Sequence, residues 1–131
     1  MRPPDLDRQI ARLSGRLAGC LERANHLEQL ARSVKTKGYA RSRCETDMAE
    51  AGRLRQEADG IAAELQPYEH EYRRRPWTRA FVVPGGHVHR SMDCSTCHPT
   101  TRFAWLPDYS GADEAKIVED ACERACTVCY P

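Results

Sequence analysis

Leu6, Ile10, Leu13, Leu17, Cys20, Ala24, Leu27, Ala31 and Val34 recur in alternating steps of four and three residues, the spacing that lines apolar side chains along one stripe of an α-helix and makes a coiled-coil seam. Leu21 and Leu30 widen the stripe, and Arg, Glu and Gln fill much of the remainder. Asp5 or Asp7 is placed to cap the start. The pattern breaks at Lys35-Thr36-Lys37-Gly38, where a glycine can take the left-handed conformation that ends a helix. A weaker stripe resumes at Cys44, Met48, Ala51, Leu54, Ala58, Ile61, Leu65 and Tyr68, interrupted by Gly52 and Gly60, and predicts a second helix over about residues 40–66, with Pro67 at or near its end. Two long helices joined by a short turn fold back antiparallel, and Ala24, Ala31, Ala51 and Ala58 permit close approach. Residues 1–68 are therefore expected to form a helical hairpin.

The period then changes. Residues 69–76, with Arg73, Arg74 and Arg75 in a row, have the character of a solvated link. Residues 79–83 are β-prone, Pro84-Gly85-Gly86 is a turn, and residues 87–90 can return as a second strand. Residues 100–106 offer another strand ended by Pro107, and Ala115, Ile117, Val118, Ala121 and Cys122 predict a short helix between about 112 and 124, with Ser110 or Asp113 near its start. Phe81, Phe103 and Trp105 are expected in the core of this part, residues 77–131. The fold class is α+β: an antiparallel, coiled-coil-like hairpin followed by a small zinc-stabilised module with a β-hairpin and one short helix.

Composition sharpens this picture at the cysteines. Seven occur in 131 residues, and Cys94/Cys97 and Cys126/Cys129 form two C-x-x-C knuckles. Two thiolates on one tight turn reach a single tetrahedral ion without strain, and a second such turn completes the shell that structural zinc prefers. The odd count and the paired knuckles favour reduced thiols holding Zn2+ over disulfides. A closed set of four thiolates leaves no position for substrate, so the expected role is structural. No apolar run approaches the roughly 20 residues that span a bilayer, and the first residues lack the apolar stretch of a signal peptide. A soluble, cytoplasmic protein is the expectation.

Other donors surround the knuckles. Cys122 lies one helical turn before Cys126, His98 directly follows the first knuckle, and His87 and His89 alternate along the expected strand so as to share a face. These are alternative metal ligands. Joined with a cysteine pair, His87 and His89 could make an open site for metal-dependent hydrolysis, but no acid stands in a recognised general-base arrangement beside them. A structural role is preferred, and no catalytic residue is assigned.

Charge adds little. Residues 1–79 carry sixteen Lys/Arg against twelve Asp/Glu, and residues 80–131 carry four against seven. Arg32, Lys35, Lys37, Arg41 and Arg43 flank the hairpin turn without an intervening acid, and with Arg73, Arg74 and Arg75 they are candidate nucleic-acid contacts. Aromatic residues that would stack bases are almost missing among them, Tyr39 excepted.

The words Gly-His-Val-His-Arg-Ser-Met-Asp-Cys-Ser-Thr-Cys from Gly86, Thr-Arg-Phe-Ala-Trp-Leu-Pro-Asp-Tyr-Ser-Gly to Gly111, and the closing Ala-Cys-Thr-Val-Cys-Tyr-Pro resemble those of small cysteine-rich proteins encoded by bacteriophages of actinobacteria. The resemblance covers about residues 76–131. It implies a phage origin, expression in the cytoplasm of an infected host and a shared cysteine-rich module, and it supplies no reaction. The architecture is also similar to that of bacterial factors that insert a coiled coil into the secondary channel of RNA polymerase, although their tips are acidic where this one is basic. The expected function is a non-enzymatic accessory protein that binds a host or phage macromolecule, most readily a host protein. Nucleic-acid binding through the basic hairpin tip and the segment from Arg73 to Arg79 is the alternative. A homodimer through the helical hairpin is a further expectation.

Overall fold

The computed structural model describes residues 1–33 and 40–131, the side chains of residues 40 and 41 excepted. Lys35, Lys37, Gly38 and the side chain of Arg41 thus lie outside the described residues. The fold is α+β: two long helices, α1 (Pro3–Ser33) and α2 (Ala40–Arg74), are followed by three short strands, β1 (Phe81–Val82), β2 (Val88–His89) and β3 (Ala104–Trp105), and by helix α3 (Glu114–Ala121). None of the described helices is long and apolar enough to cross a membrane. The chain divides into two compact units, Ile10–His70 and a second made of Met1–Gln9 with Glu71–Pro131.

In the first unit, α1 and α2 pack antiparallel. Ala24 meets Ala51 and Leu54, with Cys20 and Leu27 against them. The Cys44 thiol donates to the Ala31 carbonyl, and Arg55 forks onto Glu28 at 2.8 and 2.9 Å and also reaches Asn25. The buried alanines Ala24, Ala31, Ala51 and Ala58 bring the helices together where a bulkier seam would hold them apart. The seam of α2 differs from the expected stripe at one position: Asp47 is buried and Met48 is exposed. Burial at Cys44, Asp47, Ala51, Leu54, Ala58, Ile61 and Leu65 keeps the three-four spacing without a break, so helix geometry takes precedence over side-chain polarity. Arg43, one turn earlier, lies 3.6 Å from the Asp47 carboxylate.

α2 runs eight residues beyond the expected end at 66 and carries Pro67 in its interior. Residues 69–74 are consequently helix and not a link. Proline removes one backbone hydrogen bond and crowds the carbonyl four residues earlier. What sustains the helix beyond it lies among its last residues: Arg74 pairs with Glu71 at 2.7 Å, and the Tyr72 ring sits edge-on to Trp77, centroids 4.9 Å apart. Pro67 itself is exposed, so nothing is lost by trimming it. Pro67→Ala is expected to stabilise the chain by about 1–3 kcal/mol, measured as a rise in the thermal midpoint. An unchanged or lowered midpoint would show that α2 needs the proline bend.

The second unit is a sheet of order β2-β1-β3, antiparallel throughout, in which Phe81 lies opposite both His89 and Trp105. Gly85, at φ +75°, makes the turn between β1 and β2. Ala80, Val88 and Ile117 form the apolar centre, with Leu106, Tyr109 and Tyr130 packed on it. Of the aromatic residues expected in the core, Phe81 is buried, while Phe103 and Trp105 are half-buried.

The start of α1 belongs to this unit and contributes an unexpected element. Asp7 is fully buried. Arg79 grips its carboxylate through Nε and Nη2 at 2.7–3.1 Å, Trp77 Nε1 donates at 2.8 Å and the Ser110 hydroxyl at 2.5 Å. The Arg79 guanidinium in turn lies over the Tyr72 ring, 3.4 Å from its centroid, and near Trp105. Asp7 is therefore an internal counter-ion and not a helix cap. Gly111, at φ +78°, completes the fit, because a Cβ there would lie 3.1 Å from the Pro3 side chain.

Candidate metal centre

Four chain segments build the site. β2 pairs with β1 so that His89 falls opposite Phe81, and its ring is buried against the edge of Phe103. The first knuckle is a turn closed by the Cys97 N–H donating to the Cys94 carbonyl at 3.0 Å. After α3 the chain reverses through Cys122, which takes φ +52°, and Ala125 bridges to Val88 in parallel. The Cys126 N–H donates to the Val88 carbonyl at 2.9 Å, which sets the second knuckle beside His89. That knuckle is closed by the Tyr130 N–H on the Cys126 carbonyl at 2.8 Å.

The outcome is a buried group of His89, Cys94, Cys126 and Cys129 whose donor atoms all lie within 4.8 Å of one another. Cys94 and Cys126 sulfurs are 3.8 Å apart, and Cys129 Sγ is 3.7 Å from His89 Nδ1. Such a set can hold a metal ion. Cys97, the remaining knuckle thiol, stands outside the tight group: it is half-buried, with its sulfur 3.6 Å from the other ring nitrogen, His89 Nε2.

The thiols are not equivalent. Hydrogen bonds from the Thr96 hydroxyl, 3.0 Å away, and from the Thr96 backbone hold the Cys94 thiol down at about 6, whereas burial pushes Cys129 up to about 11. A cation entering the site must therefore displace a tightly held proton from Cys129, and metal capture and proton release are coupled. Tyr130 packs against the cysteines and against the apolar centre of the sheet, with its hydroxyl buried and unpaired among the described residues. Burial raises that phenol to about 12.

Comparison of the chain with models of protein families, with curated proteins and with solved structures found no match.

The other candidate ligands lie elsewhere. The His87 carbonyl accepts the Val83 N–H at the end of the hairpin ladder, but the residue is exposed where His89 is buried and stands outside the tight group. His98 is exposed and its Nδ1 lies 2.7 Å from the Thr100 hydroxyl. Cys122 is exposed and its thiol donates to the Glu119 carbonyl. Among the candidate nucleic-acid contacts, Arg32, Arg43, Arg73, Arg74 and Arg75 are exposed, and Arg43 and Arg74 are engaged with Asp47 and Glu71. Arg32 and Arg43 belong to the first unit, and Arg73, Arg74 and Arg75 to the second.

Proposed function

We propose that the chain is a non-enzymatic accessory protein of bacteriophage origin, acting in the cytoplasm of the infected host, in which a structural zinc ion held by His89, Cys94, Cys126 and Cys129 fixes the shape of a binding surface for a host protein. The burial of all four donors carries this reading. A catalytic zinc keeps one position for water or substrate, while a structural one is closed by protein ligands. With sulfur at about 2.3 Å and nitrogen at about 2.0 Å from zinc, a tetrahedron has edges of about 3.5–3.8 Å. The separations of 3.8 Å between Cys94 and Cys126 and 3.7 Å between Cys129 and His89 fall in or near that range. Three soft thiolates with one imidazole suit zinc better than they suit calcium or magnesium.

The partner reading rests on the long amphipathic hairpin of α1 and α2, on which Leu21, Leu30 and Met48 are exposed. Metal analysis of freshly purified protein, followed by affinity capture from actinobacterial lysate with and without nuclease, tests both parts. One zinc per chain and a stoichiometric, nuclease-resistant host protein are expected. Metal-free protein would sink the zinc reading, and capture lost on nuclease treatment would replace the protein partner by nucleic acid.

A further inference from the structure

We propose that Cys97 is the exchange ligand of this centre: the thiol through which an ion passes from solvent to the buried four and back. The inference rests on the zinc reading above and adds a role for the knuckle cysteine that the tight group leaves out. His89, Cys94, Cys126 and Cys129 are 3, 9, 5 and 8 % exposed, so a hydrated ion cannot meet them together. It must shed water one ligand at a time, and each bond made must replace one broken. Cys97 is the knuckle thiol that remains half-exposed. A cavity of about 440 Å³ opens over it, lined by Met92, Asp93, Cys94, Cys97, His98 and Phe103. Cys94 belongs both to that lining and to the buried group. The first knuckle therefore has one sulfur at the cavity and one shared between the cavity and the interior.

The exchange follows from this placement. A hydrated divalent ion in the cavity binds Cys94 and Cys97, any proton still on either sulfur passing to solvent as a water leaves the ion. Cys126 and Cys129 bond next, with two more protons and two more waters released. Neutral His89 then replaces Cys97: a metal–nitrogen bond forms, the metal–sulfur bond to Cys97 breaks, and the Cys97 thiolate recovers one proton. Counted from fully protonated thiols, the balance is three metal–sulfur bonds and one metal–nitrogen bond made, with three protons and all the waters of the ion released. With Nδ1 on the ion beside Cys129, the Nε2 proton is left facing the Cys97 sulfur, the arrangement given by their 3.6 Å separation. Release runs the same steps backwards.

Two measurements on the zinc-loaded chain test the assignment. In the first, iodoacetamide labelling is mapped by mass spectrometry: Cys97 is expected to be alkylated while Cys94, Cys126 and Cys129 are protected. Protection of Cys97 equal to theirs would make it a resident ligand and overturn the proposal. In the second, zinc transfer to the chromogenic chelator 4-(2-pyridylazo)resorcinol is followed in time. Cys97→Ser is expected to keep one zinc per chain and to slow transfer about tenfold, the factor that loss of one transient bond worth about 1.4 kcal/mol at the barrier would produce. Unchanged transfer rates, or loss of the zinc, would each overturn the role. Failure of the zinc reading itself would be evident earlier, as a wild-type chain without metal.

Discussion

Removal of the ion with a strong chelator is expected to unfold the unit formed by Met1–Gln9 and Glu71–Pro131 while most of the helical signal of Ile10–His70 survives. The sheet has strands of two residues each, and its apolar centre rests on Ala80, Val88 and Ile117. Short strands and a small apolar core supply little stability of their own. Structural zinc in small domains contributes an apparent binding energy on the order of 10–16 kcal/mol at neutral pH, which equals or exceeds the whole stability of an ordinary domain, about 5–15 kcal/mol. Both tryptophans of the chain, Trp77 and Trp105, lie in this unit, so intrinsic fluorescence reports on it selectively. A red-shifted emission with largely retained far-ultraviolet helicity is the expected pair of signals, reproduced by Cys126→Ala and absent in Cys122→Ala. Native emission after complete metal removal would show that the unit stands without the ion.

Asp7→Ala should be the most damaging single substitution away from the candidate metal centre. The variant leaves the Arg79 guanidinium, 16 % exposed as a side chain, without its counter-ion, and also strips the Trp77 and Ser110 donors of their acceptor. Breaking a buried ion pair from one side costs about 3–5 kcal/mol, because an uncompensated charge remains in a poorly polarisable interior. The double variant Asp7→Leu with Arg79→Met removes both charges and is expected to recover much of that loss. Chemical denaturation of the metal-loaded chain followed by tryptophan emission compares the three proteins. Equal destabilisation by the single and double variants would mean that the network acts through shape and not through charge.

The helices were legible because their signal is local: a spacing of three and four along the chain is already the geometry of the element. The same holds for the turn at Gly85 and for α3, whose apolar residues lie within one short window. The sequence stripe failed where the two criteria it combines part company, since Asp47 occupies a seam position that polarity disqualified and Met48 an exposed one that apolarity promoted. The continuation of α2 through Pro67 was hidden for a related reason. A proline's local cost is visible in sequence, while the ring contact of Tyr72 with Trp77 involves the chain beyond the helix. At the candidate metal centre, knuckle spacing singled out Cys94, Cys126 and Cys129, which lie in the tight buried group, but could not rank Cys97 against His89. That ranking depends on strand register and on the Val88–Ala125 bridge, which join residues far apart along the chain. Asp7 had no sequence signal, because its partners are 70, 72 and 103 residues away.

Those separations bear on how the chain assembles during synthesis. The first nine residues leave the ribosome long before Arg79 and Ser110 exist, so the Asp7 carboxylate spends the intervening time hydrated and unpaired. Closing a free loop of some seventy residues carries an entropic cost that grows with the logarithm of its length. Here the intervening segment is itself the antiparallel pair α1 and α2, whose contacts from Ala31–Cys44 to Glu28–Arg55 zip up from neighbouring positions. Folding the helices first replaces a long, expensive closure by a short one. The unit that carries the candidate metal centre needs both its earliest-made and its latest-made residues, Met1–Gln9 and Glu71–Pro131, in one place before it is complete.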